Sequence, residues 1–295
     1  QVMTTNRKEK NIQHTEELAE SRSNWINKNS FFYENDNSYM KFLIGEGSRV
    51  LELGCGTGQL LNYLNPSYGV GVDLSQNMIS IARKTYPNLE FIYGDIENED
   101  LVSSIKDKFD YIVLSDTIGY LEDCEETFAR LHSLCTPETR IVVSYYSWWW
   151  QPILTLGEKI GLKMPSVDMN WLSTEDTSNF LKLADFEVVK REWRQIVPRR
   201  FFGVGSFVNR FIGTLPLIRR LSLRNYLVAR PVKNIKLKNP STTVLIPCRN
   251  EVGNIENAIK RLPDFCEDIE ILYVEGNSQD GTLEEINRVI KIYPE

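Results

Sequence analysis

Glu52 stands two residues before Gly54-Cys55-Gly56-Thr57-Gly58, an acid followed by glycine at every second position. Glycines so spaced let the main chain turn tightly and approach a ligand where any Cβ would collide. Residues 59–64 have helical spacing, so the turn opens a helix whose free amides face that ligand. The element delivering the turn is a strand over 49–53, where β-branched and apolar residues crowd between turn formers. Together these features make a nucleotide-type site at the carboxyl edge of a parallel sheet. The dinucleotide fingerprint G-x-G-x-x-G requires a glycine where Gln59 stands, and the observed spacing is E-x-G-x-G-x-G. A carboxylate at Glu52, one residue inside the strand end, suits a cationic ligand better than a phosphate.

The elements behind the turn repeat its pattern. A second strand over 68–73 ends in Asp73, where an unprotonated carboxylate accepts from both hydroxyls of a ribose. Ser75 caps a helix over 76–84. A third strand, 89–93, closes in Gly94-Asp95-Ile96, where the Asp is either a ligand group or a turn residue. The run 109–115 is almost continuously apolar, as in a central strand buried on both faces, and leads into Ser115-Asp116. Further strands are expected over 140–145, 186–193 and 226–230, with helices over 124–135, 154–161 and 173–183. This rhythm predicts βαβ units in an α/β, doubly wound parallel sheet.

The glycine turn resembles motif I of the class I S-adenosylmethionine-dependent methyltransferases, and residues 15–230 resemble a complete domain of that family. The resemblance implies a seven-stranded Rossmann-like sheet, S-adenosylmethionine as cofactor, and in-line attack of an acceptor on the sulfonium methyl. It assigns Glu52, Gly54, Cys55, Gly56 and Gly58 to the methionine end, Asp73 and Leu74 to the ribose, and Asp95 with Ile96 to the adenine. Ser115 and Asp116 fall beside the methionine end, with Asp116 the candidate general base; His132 sits on a packing pattern. A leader helix over 15–27 brings up Tyr33, either a lid over the cofactor or a core aromatic. Tyr120, Tyr146, Trp148 and Trp149 are candidates for an acceptor pocket suited to a sugar face or an apolar chain. The tryptophans could equally pack beneath the helix at 154–161. The expected acceptor is a glycan, a glycolipid (lipid-linked glycan) or a related small molecule; a non-catalytic cofactor-binding module anchoring a glycosyltransferase is the alternative.

Composition bounds the rest. A chain of 295 residues can hold more than one domain, and a formal charge of −6 argues against a general nucleic-acid binder. Five cysteines without a C-x-x-C pair and only two histidines favour neither zinc nor disulfides, so no metal and a reducing, cytoplasmic setting are expected. No apolar run approaches the roughly 18–20 residues that span a bilayer. Residues 1–14 look polar and loose. The stretch 198–224 reverses the local charge, interleaving Arg199, Arg200, Arg210, Arg219, Arg220 and Arg224 with aromatics. Such a segment can lie on an anionic membrane surface, here the inner one.

After a basic linker at 231–241 the chain begins again, with a strand over 242–247, a helix over 255–262, a strand over 269–274 and a turn into another helix. Residues 242–295 resemble the opening of a family-2, dolichyl-phosphate-mannose-synthase-like glycosyltransferase of GT-A type. Pro247, Arg249, Asn250, Glu251, Glu275 and Asp280 fall on its nucleotide-sugar positions. Gly276 leaves one carboxylate position vacant, and the D-x-D metal ligands are not reached, so this portion is expected to be an inactive part of a longer, bifunctional fusion.

Overall fold

The computed structural model describes residues 6–166, 169–232, 241–263, 265–266 and 268–293. Two compact units divide at Lys233 and Asn234. The first begins with α1 (Asn6–Leu18), α2 (Arg22–Lys28) and α3 (Ser30–Leu43). Residues 6–14, expected to be loose, are therefore helical, and the single helix expected over 15–27 is broken. Polar contacts fix α1 in place of an apolar stripe. Lys8 pairs with Asp95 and Glu97, both at 2.6 Å, and the Glu16 carboxylate accepts the amides of Gln76 and Asn77 at 2.6 and 3.0 Å.

Strands and helices then alternate as β1 (Arg49–Leu53), α4 (Gln59–Leu64), β2 (Tyr68–Asp73), α5 (Gln76–Thr85), β3 (Glu90–Tyr93), α6 (Glu99–Ser104), β4 (Phe109–Ser115), α7 (Cys124–Leu131) and β5 (Cys135–Tyr146). Next come α8 (Gln151–Lys159), α9 (Thr174–Leu183), β6 (Phe186–Arg194), α10 (Val204–Phe207) and β7 (Arg224–Pro231). The caps follow the sequence: the Ser75 hydroxyl accepts the Met78 amide, and Ser173 with Asp176 forms a reciprocal capping box on α9.

Seven strands form one sheet in the order β3-β2-β1-β4-β5-β7-β6. The first five are parallel, but β7 runs antiparallel to both β5 and β6, which corrects the all-parallel expectation. The chain returns from β6 through residues 195–223 and enters between the last two strands from the opposite end. Strand order reverses between β1 and β4, the place where open α/β sheets leave a crevice at their carboxyl ends.

Alternate residues of each strand feed opposite faces. Leu51, Leu53, Ile112 and Leu114 pack with Phe128 and Leu181 on one side, while Val50, Val113 and Val142 meet Met40, Leu61 and Ile79 on the other. His132 stacks on Phe186 at 4.2 Å, in the packing role its pattern indicated. No described helix is long and apolar enough to cross a membrane.

The second unit contains β8 (Ser241–Cys248), α11 (Ile255–Lys260), β9 (Asp268–Glu275) and α12 (Thr282–Ile292), with the two strands parallel. Its elements fall where the sequence placed them, around a small core of Cys248, Ile255, Ile286 and Val289. The linker expected over 231–241 lies outside the described residues at 233–240, while Pro231 still belongs to β7.

Phe128 is fully buried on α7. Phe128→Ala is expected to cost about 3–5 kcal/mol, read as a lowered midpoint in urea unfolding of the full chain.

Candidate active site

The glycine turn closes the carboxyl end of β1. The amides of Gly54 and Cys55 both donate to the Val72 carbonyl, at 2.8 and 3.0 Å, fastening the turn to β2. Gly54 and Gly58 adopt φ +78° and +75°. A Cβ on Gly54 would lie 2.2 Å from the Thr117 hydroxyl, and one on Gly58 2.6 Å from the Phe91 ring. Only glycine fits either place. Gly58 thus supports the turn from below, whereas Gly54, Cys55 and Gly56 line a cavity of about 490 Å³.

Asp73 and Leu74 line the same cavity at the tip of β2. One Asp73 oxygen accepts the Gly56 amide at 2.7 Å and the other the Ser75 amide at 2.9 Å, so the carboxylate is aimed by the turn it would serve. Asp95, Ile96, Ser115 and Asp116 complete the strand tips along the cavity. Asp95 accepts the Glu97 amide at 2.9 Å and pairs with Lys8. Glu52 is buried, and its Oε2 has no hydrogen-bond partner. Burial pushes its carboxyl up to about 8, against the lowering charge of Arg22 and the Leu61 amide. Burial likewise raises Asp73, partly offset by the Ser75 and Gly56 amides and by Arg22.

Helices ahead of the sheet supply residues the sequence reading missed. Arg22 on α2 lies against Gly56 and lines the cavity with Lys8 and His14 of α1. His14 Nε2 is buried there without a partner. Composition gave no signal for them, because α1 carries no apolar period.

Asp116 does not stand free as a base. Its carboxylate pairs with Arg224, the first residue of β7, and burial raises its pKa against the lowering pull of that arginine. Arg224 is fully buried. It also donates to Asp36 Oδ1 at 3.0 Å, Asp36 Oδ2 at 3.2 Å and the Ser144 hydroxyl at 3.1 Å. The Tyr226 hydroxyl donates to Asp36 as well. Arg224 therefore drops out of the basic surface segment to which the sequence assigned it.

Tyr33, Tyr120 and Tyr146 all line the cavity. Burial raises each phenol, Tyr120 to about 12, so all three stay protonated near neutral pH. The tryptophans divide otherwise than expected. Trp148 and Trp149 stack on one another at 3.9 Å in solvent, and the cavity is lined by Trp150 instead. Residues 148–150 form a single 3₁₀ turn, which sends Trp150 inward while Trp148 and Trp149 stay together outside. The Trp150 indole donates to the Leu221 carbonyl at 2.9 Å.

In the second unit, the loops after β8 and β9 are stitched together. Pro247 lies within β8, and Arg249 packs against Gly276. The Asn250 amide donates to the Ser278 hydroxyl at 2.8 Å, while its side-chain oxygen accepts the Gln279 amide at 3.0 Å. The Glu251 amide donates to the Thr282 hydroxyl at 2.8 Å. Glu275 accepts the amides of Asn277 and Ser278, and Asp280 those of Val252 and Thr282. Hydrogen bonds from the Ser278 side chain to Glu275 and from the Thr282 hydroxyl to Asp280, with these amides behind them, hold both carboxyls below their usual range. Among the described residues no group of three or more His, Cys, Asp or Glu could hold a metal.

A family profile described as a methyltransferase domain matches residues 26–191, more than half of the chain. The chain belongs to this family, whose members use S-adenosylmethionine. It is 32% identical over 108 residues to malonyl-[acyl-carrier protein] O-methyltransferase of Halalkalibacterium halodurans, covering 34% of this chain and 40% of that protein. It is 32% identical over 109 residues to dTDP-3-amino-3,4,6-trideoxy-alpha-D-glucopyranose N,N-dimethyltransferase of Streptomyces venezuelae, covering 36% and 44%. The chain thus spans less than half the length of these curated relatives. A crystal structure of an S-adenosylmethionine-dependent methyltransferase from Thermotoga maritima, described as a possible histamine N-methyltransferase, superimposes with a TM-score of 0.55 at 20% identity, covering 74% of this chain and 98% of that one. The family match ends before β7, and the second unit lies beyond it.

Two outcomes test the site. Asp36→Ala leaves the Arg224 charge buried with one carboxylate fewer and is expected to cost roughly 3–5 kcal/mol in urea unfolding. Glu52, raised in the folded state, keeps its proton where the unfolded chain has lost it. Stability should therefore fall as pH rises from about 4.5 to 8, by about 1.4 kcal/mol per pH unit for this group. Glu52→Gln should remove that slope when unfolding is followed across the range.

Proposed function

We propose that the first unit transfers the methyl group of S-adenosylmethionine to a small acceptor lying against Tyr33, Tyr120, Tyr146 and Trp150. A glycan, a glycolipid or a related small molecule fits this aromatic wall. The observation that carries the reading is one continuous cavity reaching from Glu52 and Asp73 to those rings. The residues present suit the cofactor. Glu52 Oε2 is a buried acceptor lacking a donor, which an ammonium would supply.

Bound S-adenosylmethionine supplies an electrophilic methyl on a cationic sulfur. Glu52 would hold its ammonium, Asp73 its ribose hydroxyls, and Asp95 with Ile96 its adenine. Arg22, beside Gly56, is placed for the carboxylate. The protonated phenols of Tyr33, Tyr120 and Tyr146 can donate to an acceptor oxygen or nitrogen and orient it. Much of the rate then comes from holding donor and acceptor within reach. Asp116, held by Arg224, fixes the strand tip with its carboxyl at the cavity.

That last contact favours a second reading. With Asp116 paired and the phenols protonated, the domain could bind the cofactor without turnover and serve as a module beside a glycosyltransferase. The parallel β8 and β9 and the loops joined at their carboxyl edge support reading the second unit as a glycosyltransferase opening. Its carboxylates are engaged by loop amides, so no glycosyl transfer is expected from these residues.

Calorimetry should show S-adenosylmethionine binding, weakened by about 10- to 100-fold in Asp73→Ala through the loss of charged hydrogen bonds. A methyl-release assay with free and lipid-linked sugars should then show turnover. Binding without turnover across both acceptor classes would select the module, and no binding at all would end both readings.

A further inference from the structure

Between β6 and β7 the chain carries no acid from Gln195 to Leu223, although its formal charge is −6. Arg200, Arg210 and Arg220 are exposed along this stretch. So are Phe201, Phe207 and Phe211, while Leu217 is 85% exposed and Phe202 completely so. Phe201 and Phe202 hold left-handed backbone, at φ 40° and 53°, a conformation bulky side chains avoid, and their rings still face solvent. Both ends of the stretch reach the cavity, through Pro198, Arg199 and Leu223. On α8 and at its C-cap, Ile153, Leu156 and Ile160 line the cavity and are exposed as well. The bond from Trp150 to the Leu221 carbonyl ties the two segments together. At the rim, Arg199 Nη2 is buried without a partner.

A cavity mouth edged with exposed apolar side chains and arginines is a surface that monomers do not normally leave to water. We propose that residues 199–221 and the exposed side of α8 dock on an anionic lipid bilayer. The arginines would meet headgroup charge while the phenylalanines and Leu217 enter the interface. Charge complementarity selects this occupant, since the segment carries no acid of its own and its pair with an outside carboxylate, Arg200 to Glu34, is a loose 3.9 Å. Docking there sets the cavity mouth at the bilayer and makes an amphiphile the natural acceptor, a consequence that rests on the methyltransferase reading.

The test is sedimentation of the full chain with large vesicles of phosphatidylcholine, alone or mixed with phosphatidylglycerol. The expected result is binding to the mixed vesicles that weakens as salt is added. Binding should fall at least about tenfold in F202D/L217D and in R210E/R220E. None of these four residues lines the cavity, so S-adenosylmethionine affinity by calorimetry should stay unchanged. That readout shows the variants are folded and separates failure of docking from failure of the cofactor reading. Equal binding to both vesicle types, or binding unaffected by either variant, would overturn the proposal. Self-association or capture of a protein through this face without vesicle binding would overturn it too.

Discussion

Arg224 carries a guanidinium that is wholly out of water, and three parts of the first unit meet on it. Asp36 comes from α3, Asp116 from the tip of β4, and the Ser144 hydroxyl from β5. Tyr146 covers the charge from 4.8 Å. A buried cation is tolerable only when its donors are answered, and here carboxylates and a hydroxyl answer them. The antiparallel insertion of β7 makes this meeting possible, because it brings the first residue of the strand to the same end as the tips of the parallel half. The tip of β4 and the helices above it are thereby held by one charge.

The electrostatics of the cavity follow from that frame. Glu52, Asp73 and Asp116 sit at neighbouring strand tips, and all three are raised by burial. Arg22 partly offsets the first two, and Arg224 the third. Glu52 alone among them keeps a buried oxygen with no donor. Of the three acids, Asp73 is held by backbone amides and Asp116 by Arg224, which leaves Glu52 with the oxygen still open to a donor.

Much of this was readable in the residues. The strand tips at Leu53, Asp73, Tyr93 and Ser115 lie where apolar runs stop at turn formers, since central parallel strands buried on both faces leave an unambiguous pattern. The glycine spacing predicts close approach of a ligand, whereas at Gly54 the crowding comes from the Thr117 hydroxyl. The failures have equally local causes. Helix α1 is held by Lys8 and Glu16 through partners that are distant in sequence, and no periodicity reports such contacts. Trp148, Trp149 and Trp150 are alike in type, so only the 3₁₀ turn could tell which one faces inward. Arg224 ends a run of surface arginines, and its burial depends on the register of β7, which pairs Arg224 with Tyr146 and Arg194.

The roof over the cavity comes from α1 and α2, helices that contribute nothing to the sheet. Foldedness and competence are therefore separable in this protein. A shortened version starting at α3 would retain all seven strands, both apolar layers and the Asp36–Arg224 pair. It would nonetheless lack Lys8, His14 and Arg22, and its ligand would lie in an open trough.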